Sequence, residues 1–330
     1  MSAQPPAPVP QSGLTAGPES TPLVPALIAT AGDHASHRFL EFFAVTIRNS
    51  NTRRAYGRAC GDFLAWCTDT GVVQLAAVQP LHVATWVEMQ THTLAAPSVK
   101  QHLAAVRHLF DWLVTGQVVP VNPVASVRGP AHVVRQGKTP VLEAAEARAL
   151  LDSIEATTQI GLRDRALIGL MIYSFARIGA ALGMKVEDVF TQNRRFWVRL
   201  HEKGGKAHAM PCHHSLEAYL IDYLEQTGIM EDDEGPLFRT IGRGTGKLTT
   251  TPLPQANAYA MIRRRAEAAG IKTKIGNHSF RATGITVYLK NGGTLEKAAA
   301  MANHASTRTT QLYDRRRDEM SLDEVERIRV

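Results

Sequence analysis

Asn303-His304-Ala305-Ser306-Thr307-Arg308-Thr309-Thr310-Gln311-Leu312-Tyr313 is the stretch that decides how the C-terminal half of this chain folds. If one helix ran through it, His304 and Tyr313 would be held about 13 Å apart along the axis. Ser306 is a good N-cap, so the spacing predicts a break there, with a new helix carrying Tyr313 near its end. His304 then lies on the loop before that helix, and the two rings can converge. Upstream, His278-Ser279-Phe280-Arg281 places a histidine and an arginine three residues apart, on one helix face. A phenol is a poor nucleophile at neutral pH, because its ordinary pKa is about 10. It becomes useful only where cations and proton carriers surround the group it attacks. Two histidines and an arginine beside a tyrosine are what attack on a phosphodiester requires. A core tyrosine is the plainer alternative, and Asp314-Arg315-Arg316-Arg317 next to it argues against deep burial.

Composition agrees with a polyanionic partner. The 330 residues carry a formal charge of +7 with thirteen histidines besides, which suits nucleic acid. Apolar residues make up 44%, enough to bury a core in each of two domains. Cys60, Cys67 and Cys212 are odd in number and lack Cys-x-x-Cys spacing, which speaks against a disulfide framework or a structural zinc site. Neither a secretory signal nor a membrane span is evident, so a cytoplasmic protein with no membrane partner is expected.

Residues 1–35, rich in Pro, Ala, Ser and Thr, read as a disordered tail. Helical periodicity then begins. Four short helices are expected over residues 37–116, the third opened by Pro80 and the fourth by Pro97, where proline suits a first turn. This first, helical domain spans 36–118, a Pro/Gly-rich linker 119–140, a second domain 141–313 and a tail 314–330. In the second domain Arg163–Phe175 reads as a buried helix and Phe196–Leu200 as a strand. Gly204-Gly205 supplies a hairpin turn, and helices follow at about 215–227, 254–269, 279–291, 294–302 and 307–313. Arg177 stands at the edge of the buried helix, where it needs an anion, either a salt-bridge partner such as Glu187 or Asp188 or a ligand. In the tail, Ser321-Leu322-Asp323-Glu324 is a capping box, followed by Val325 and Ile328 at helical spacing.

These motifs together resemble the tyrosine recombinase (phage integrase) family, Xer-like members most, over nearly the whole chain after residue 35. His-x-x-Arg, then Asn-His followed by Thr-Thr-x-x-Tyr, carry the resemblance. It implies a mainly α fold with a small antiparallel sheet. A four-helix, SAM-like core-binding domain would precede an α+β catalytic domain. It further implies that Arg177, His278, Arg281 and His304 are catalytic and that Tyr313 is the nucleophile. The family's hairpin lysine matches Lys203 best, with Lys206 a close second. The pattern departs at Ser174-Phe175-Ala176-Arg177, where relatives often have Thr-Gly-Leu-Arg, and at Ala305, where they usually have Ser.

By the same resemblance the protein cuts double-stranded DNA, leaving a 3′-phosphotyrosyl link and a free 5′-hydroxyl. Religation needs no ATP and the chemistry no metal or other cofactor, since two arginines neutralise the phosphate. Arg53, Arg54, Arg58, Lys100, Arg107 and Lys206 would touch the duplex, mostly at phosphates. Self-assembly into a tetramer on two DNA sites is expected through the C-terminal tail, with a second, related recombinase as an alternative partner subunit. Two competing readings stand beside this one: a type IB topoisomerase using the same residues, and a non-catalytic DNA-binding protein on the same fold. Cys212-His213-His214 with His208 could hold a metal in a nuclease, but no carboxylate cluster accompanies them.

Overall fold

A computed structural model describes residues 24–133, 137–202 and 206–314 of the chain. The chain divides into two compact units at Val133/Val134. The first is helical, in the order α1 (Ala26–Ala29), α2 (Asp33–Glu41), a π-helical turn (Phe42–Thr46), α3 (Ser50–Asp69), α4 (Pro80–Thr91) and α5 (Ala96–Thr115). The two 20-residue helices α3 and α5 form its spine and bury Phe63, Leu64, Val106, Phe110 and Leu113. Pro80 and Pro97 sit in the first turns of α4 and α5, where the missing N–H costs nothing. Asn49 caps α3 by accepting from the backbone N–H groups of Asn51 and Thr52, each at 3.1 Å.

The last part of the stretch 1–35, expected as a disordered tail, is folded. Leu27 and Ile28 on α1 are 2% and 0% exposed in the core of this unit. Proline and alanine set the average there, yet two large apolar side chains suffice to dock one turn of helix.

The second unit begins with α6 (Ala144–Asp152), α7 (Gln159–Tyr173) and α8 (Ile178–Leu182). Strands β1 (Val189–Gln192), β2 (Arg195–Glu202) and β3 (Lys206–Pro211) then form an antiparallel sheet in that order. Helix α9 (His214–Thr227), a hairpin of β4 (Arg239–Ile241) and β5 (Leu248–Pro252), and α10 (Gln255–Ala268) follow. Helices α11 (Ser279–Lys290), α12 (Leu295–Met301) and α13 (Thr307–Gln311) complete it. The β4–β5 hairpin was unanticipated, because Leu248-Thr249-Thr250-Thr251-Pro252 lacks the apolar alternation of a half-buried strand. The Gly-rich stretch 242–247 is its connection, with Gly244 and Gly246 at φ +75° and +66°.

Helix α7 is buried along almost its whole length and is the axle of this unit. Arg163 and Asp164 survive inside it because they pair with each other at 2.6 Å, and Arg265 closes on the same aspartate at 2.9 Å. Helix α11 crosses α7 at Gly284, where any Cβ would collide with the Ile172 carbonyl and the Phe175 ring. That close approach brings the His278–Arg281 end of α11 to the segment after α7. Thr283 Oγ1 also accepts from the Leu142 amide at 2.9 Å, which ties the domain entrance to the same helix.

Candidate active site

Arg281 is the keystone. It is 2% exposed, with no carboxylate among its recorded hydrogen-bond partners, and its guanidinium is spent on three acceptors. Nη1 donates to the Phe175 carbonyl, while Nη2 donates to the Ala302 carbonyl and, at 2.7 Å, to Nε2 of His304. An arginine has only donors, so Nε2 of His304 must be unprotonated. The proton of His304 is therefore on Nδ1, which donates to Thr310 Oγ1 at 2.8 Å. Burial, then the charges of Arg281 and Arg177, hold His304 down to about 4. Burial also lowers Arg281 to about 10, helped by Arg177 and opposed by Glu202 and the Tyr313 side chain.

Tyr313 meets this cluster as the Ser306 break requires. Ser306 Oγ accepts from the Arg308 amide at 3.2 Å and starts α13. The His304 and Tyr313 rings then stack with centroids 5.8 Å apart and planes 9° from parallel. Thr286 Oγ1 donates to the Tyr313 carbonyl at 2.8 Å, which anchors the tyrosine to α11. His278 is the N-terminal flanking residue of α11; burial, then Arg281 and Arg177, lower its pKa, so it too is neutral near pH 7.

Arg177 flanks α8 and pairs with Glu202 at the end of β2. Neither Glu187 nor Asp188 is its partner: Asp188 is taken by His201 at 2.9 Å and Arg199 at 3.5 Å. The sequence offered the nearest acids along the chain, whereas the sheet delivers a carboxylate twenty-five residues away. Phe175 explains how the departure from Thr-Gly-Leu-Arg is accommodated. It occupies the glycine position at φ +54°, a left-handed conformation that costs a bulky residue on the order of 1–3 kcal/mol. Its ring is buried against Ile285, Leu289 and Tyr288, and its carbonyl is turned toward Arg281.

Lys203 lies outside the described residues, as does the side chain of Lys206; the last described pair of this hairpin is Glu202 opposite Lys206. The Gly204-Gly205 turn expected between these strands also lies outside the described residues. In the first unit Arg53, Arg54, Arg58 and Lys100 are exposed, although Arg53 also donates to the Ile47 carbonyl at 2.8 Å. Arg107 is half-buried and donates to the carbonyls of Val124 and Val127, so it clasps the following loop onto α5. His213 stacks on Tyr173 with centroids 4.4 Å apart, and its Nδ1 accepts from the Ser215 amide. Those contacts account for His213.

Residues 140–320 match the phage integrase family, and residues 37–117 its N-terminal SAM-like domain. The chain belongs to the phage integrase family. Curated relatives include Xer recombinases. Tyrosine recombinase XerD of Mycobacterium leprae is 29% identical over 289 residues, covering 80% of this chain and 86% of that protein. XerD of Chlorobaculum tepidum is 26% identical over 271 residues, with the same coverage. The recombinase XerH, solved on DNA after cleavage, superposes with a TM-score of 0.65 at 15% identity, covering 92% of this chain and 96% of that one. A lambda integrase dimer on a core DNA site gives 0.63 at 18%, covering 86% and 97%. At such identities these two bear on the fold alone, which is the mainly helical one with a small antiparallel sheet. The protein is a tyrosine-type site-specific DNA recombinase, and its relatives do not favour a topoisomerase. No helix among the described residues is long and apolar enough to cross a membrane.

One consequence of this electrostatic arrangement is measurable without DNA. The folded pKa of His304 lies below the ordinary value of about 6.5, so the unfolded chain binds the extra proton. The stability that neutral His304 contributes is complete above about pH 6.5 and is lost as pH falls toward 4. His278 acts in the same direction. The melting temperature of the free protein should therefore drop between pH 7 and 4.5, and less steeply in His304→Gln. Parallel melting curves for the two proteins would refute the assignment.

Proposed function

We propose that Tyr313 attacks a DNA phosphodiester held by Arg177 and Arg281, with His278, His304 and a hairpin lysine moving protons and stabilising charge. The convergence of Arg281, His304 and Tyr313 on one point carries this reading. The arginines would clamp the non-bridging oxygens and stabilise charge that grows in the transition state. Neutral His278 can accept the phenolic proton, which a protonated imidazole could not. His304, whose Nε2 carries no proton while Arg281 donates to it, can donate to the phosphate from that nitrogen only after Arg281 is drawn off and a proton reaches Nε2, from Nδ1 by tautomerisation or from solvent. Lys203, with Lys206 as the second candidate, would protonate the departing 5′-oxygen. No cofactor enters this scheme.

The direct test uses nicked duplexes recovered by covalent capture from a randomised pool. A 5′-label on the cleaved strand should stay with the denatured protein, while the 3′-labelled piece leaves with a free 5′-hydroxyl. Retention of the 3′-labelled piece instead would sink the assignment of polarity and of the leaving group.

DNA contact by Arg54, Arg58 and Lys100 is part of the same proposal, as is assembly on two sites. Lambda integrase has been solved as a tetramer on a Holliday junction. In this chain an apolar cavity of about 530 Å³ lies among α6, α7 and α11, lined by Leu151, Ile172, Val287 and Met301. The segment carrying Leu322, Val325 and Ile328, outside the described residues, has apolar residues at helical spacing in its sequence, and these would fill that cavity on a second copy. Deleting 319–330 should then leave duplex binding intact and abolish paired-site complexes. Normal synapsis by the truncated protein would count against it.

A further inference from the structure

Glu202 stands where a strand should bury an apolar side chain. Along β2 the inward positions are Val198, Leu200 and Glu202, the first two in the core at 0% and 1% exposure. The outward positions Arg199 and His201 serve Asp188 instead. A carboxylate on the inward face, with its side chain 4% exposed, is costly to desolvate unless a cation meets it. That cation is Arg177, through Nη1, and Arg177 keeps a side-chain exposure of 36% toward the site. Helix α8, which Arg177 precedes, is Ile178-Gly179-Ala180-Ala181-Leu182 and offers no acid. Glu202 also acts favourably on Arg281, whose guanidinium Arg177 repels.

We infer that Glu202 is a positioning residue for strand cleavage, its carboxylate fixing one edge of Arg177. The inference rests on the reading of Arg177 and Arg281 as the phosphate clamp. An arginine presents five donors in a rigid fork, so a carboxylate on one Nη leaves the opposite edge free for a phosphate. Without that restraint, the half-exposed guanidinium samples many rotamers before each encounter. Glu202 therefore acts on the orientation of the clamp and not on encounter with DNA, for which the rest of the basic surface suffices.

Single-turnover adduct formation on the captured nicked duplexes separates the alternatives. Glu202→Ala should cleave about tenfold to a hundredfold more slowly, as expected for a misplaced catalytic group, with half-saturating DNA unchanged. Glu202→Gln retains an oxygen that accepts from Arg177 and should recover most of the lost rate. A purely structural role would lower the melting temperature of both variants and their rates in step. Wild-type rates from Glu202→Ala, or equal defects in the two variants, would overturn the role of Glu202. No adduct from the wild-type protein on any nicked duplex would instead overturn the clamp reading beneath it.

Discussion

Tyr313→Phe should abolish the denaturation-resistant adduct while binding duplex DNA within about twofold of wild type, since one hydroxyl among many contacts adds little to affinity. The ring is held by its stacking on His304 and its backbone by Thr286, and neither contact uses the hydroxyl. Phenylalanine therefore fits the same place. Only the polar interaction of its hydroxyl with Arg281 is lost. The melting temperature should change by no more than the about 1 kcal/mol of a typical hydrogen bond implies. Loss of the nucleophile leaves no covalent route, so the defect should exceed any that a charge-clamp variant produces. An adduct surviving in Tyr313→Phe would move the nucleophile elsewhere.

Much of the site was legible because its signals are local. Ser306 is a capping residue before a short helix, and the break it makes is what lets His304 and Tyr313 meet. His278 and Arg281 are one turn apart, and the dense apolar run within Arg163–Phe175 is typical of a buried helix. What remained illegible depends on pairing distant in sequence. The carboxylate facing Arg177 comes from β2, and no local pattern distinguishes Glu202 from an exposed strand-end glutamate. Phe175 in a left-handed conformation is equally hidden, because the residue type forbids what the surroundings impose. The β4–β5 hairpin escaped because its threonine-rich strand carries no apolar alternation. Leu27 and Ile28 escaped because composition averages over a window far longer than the one turn that folds.

Arg281→Gln should lower the cleavage rate by about a thousandfold, the scale for losing a preorganised donor to a transition-state oxyanion. Two effects act together. The charge that stabilises the phosphorane-like transition state disappears, and the planar fork that joins Phe175, Ala302 and His304 is replaced by one amide. A buried acceptor left unpaired costs about 1–3 kcal/mol, so a lower melting temperature is expected as well. Activity alone therefore cannot distinguish a clamp from a structural strut. His304 can. Its pKa is held at about 4 by burial and by the charges of Arg281 and Arg177. Neutralising position 281 removes the larger of those two charges and should raise the His304 pKa toward its ordinary range, read from its imidazole proton resonances. A thousandfold loss with His304 titrating higher fits a folded site that has lost its central cation. A wild-type cleavage rate in this variant would take Arg281 out of the reaction altogether.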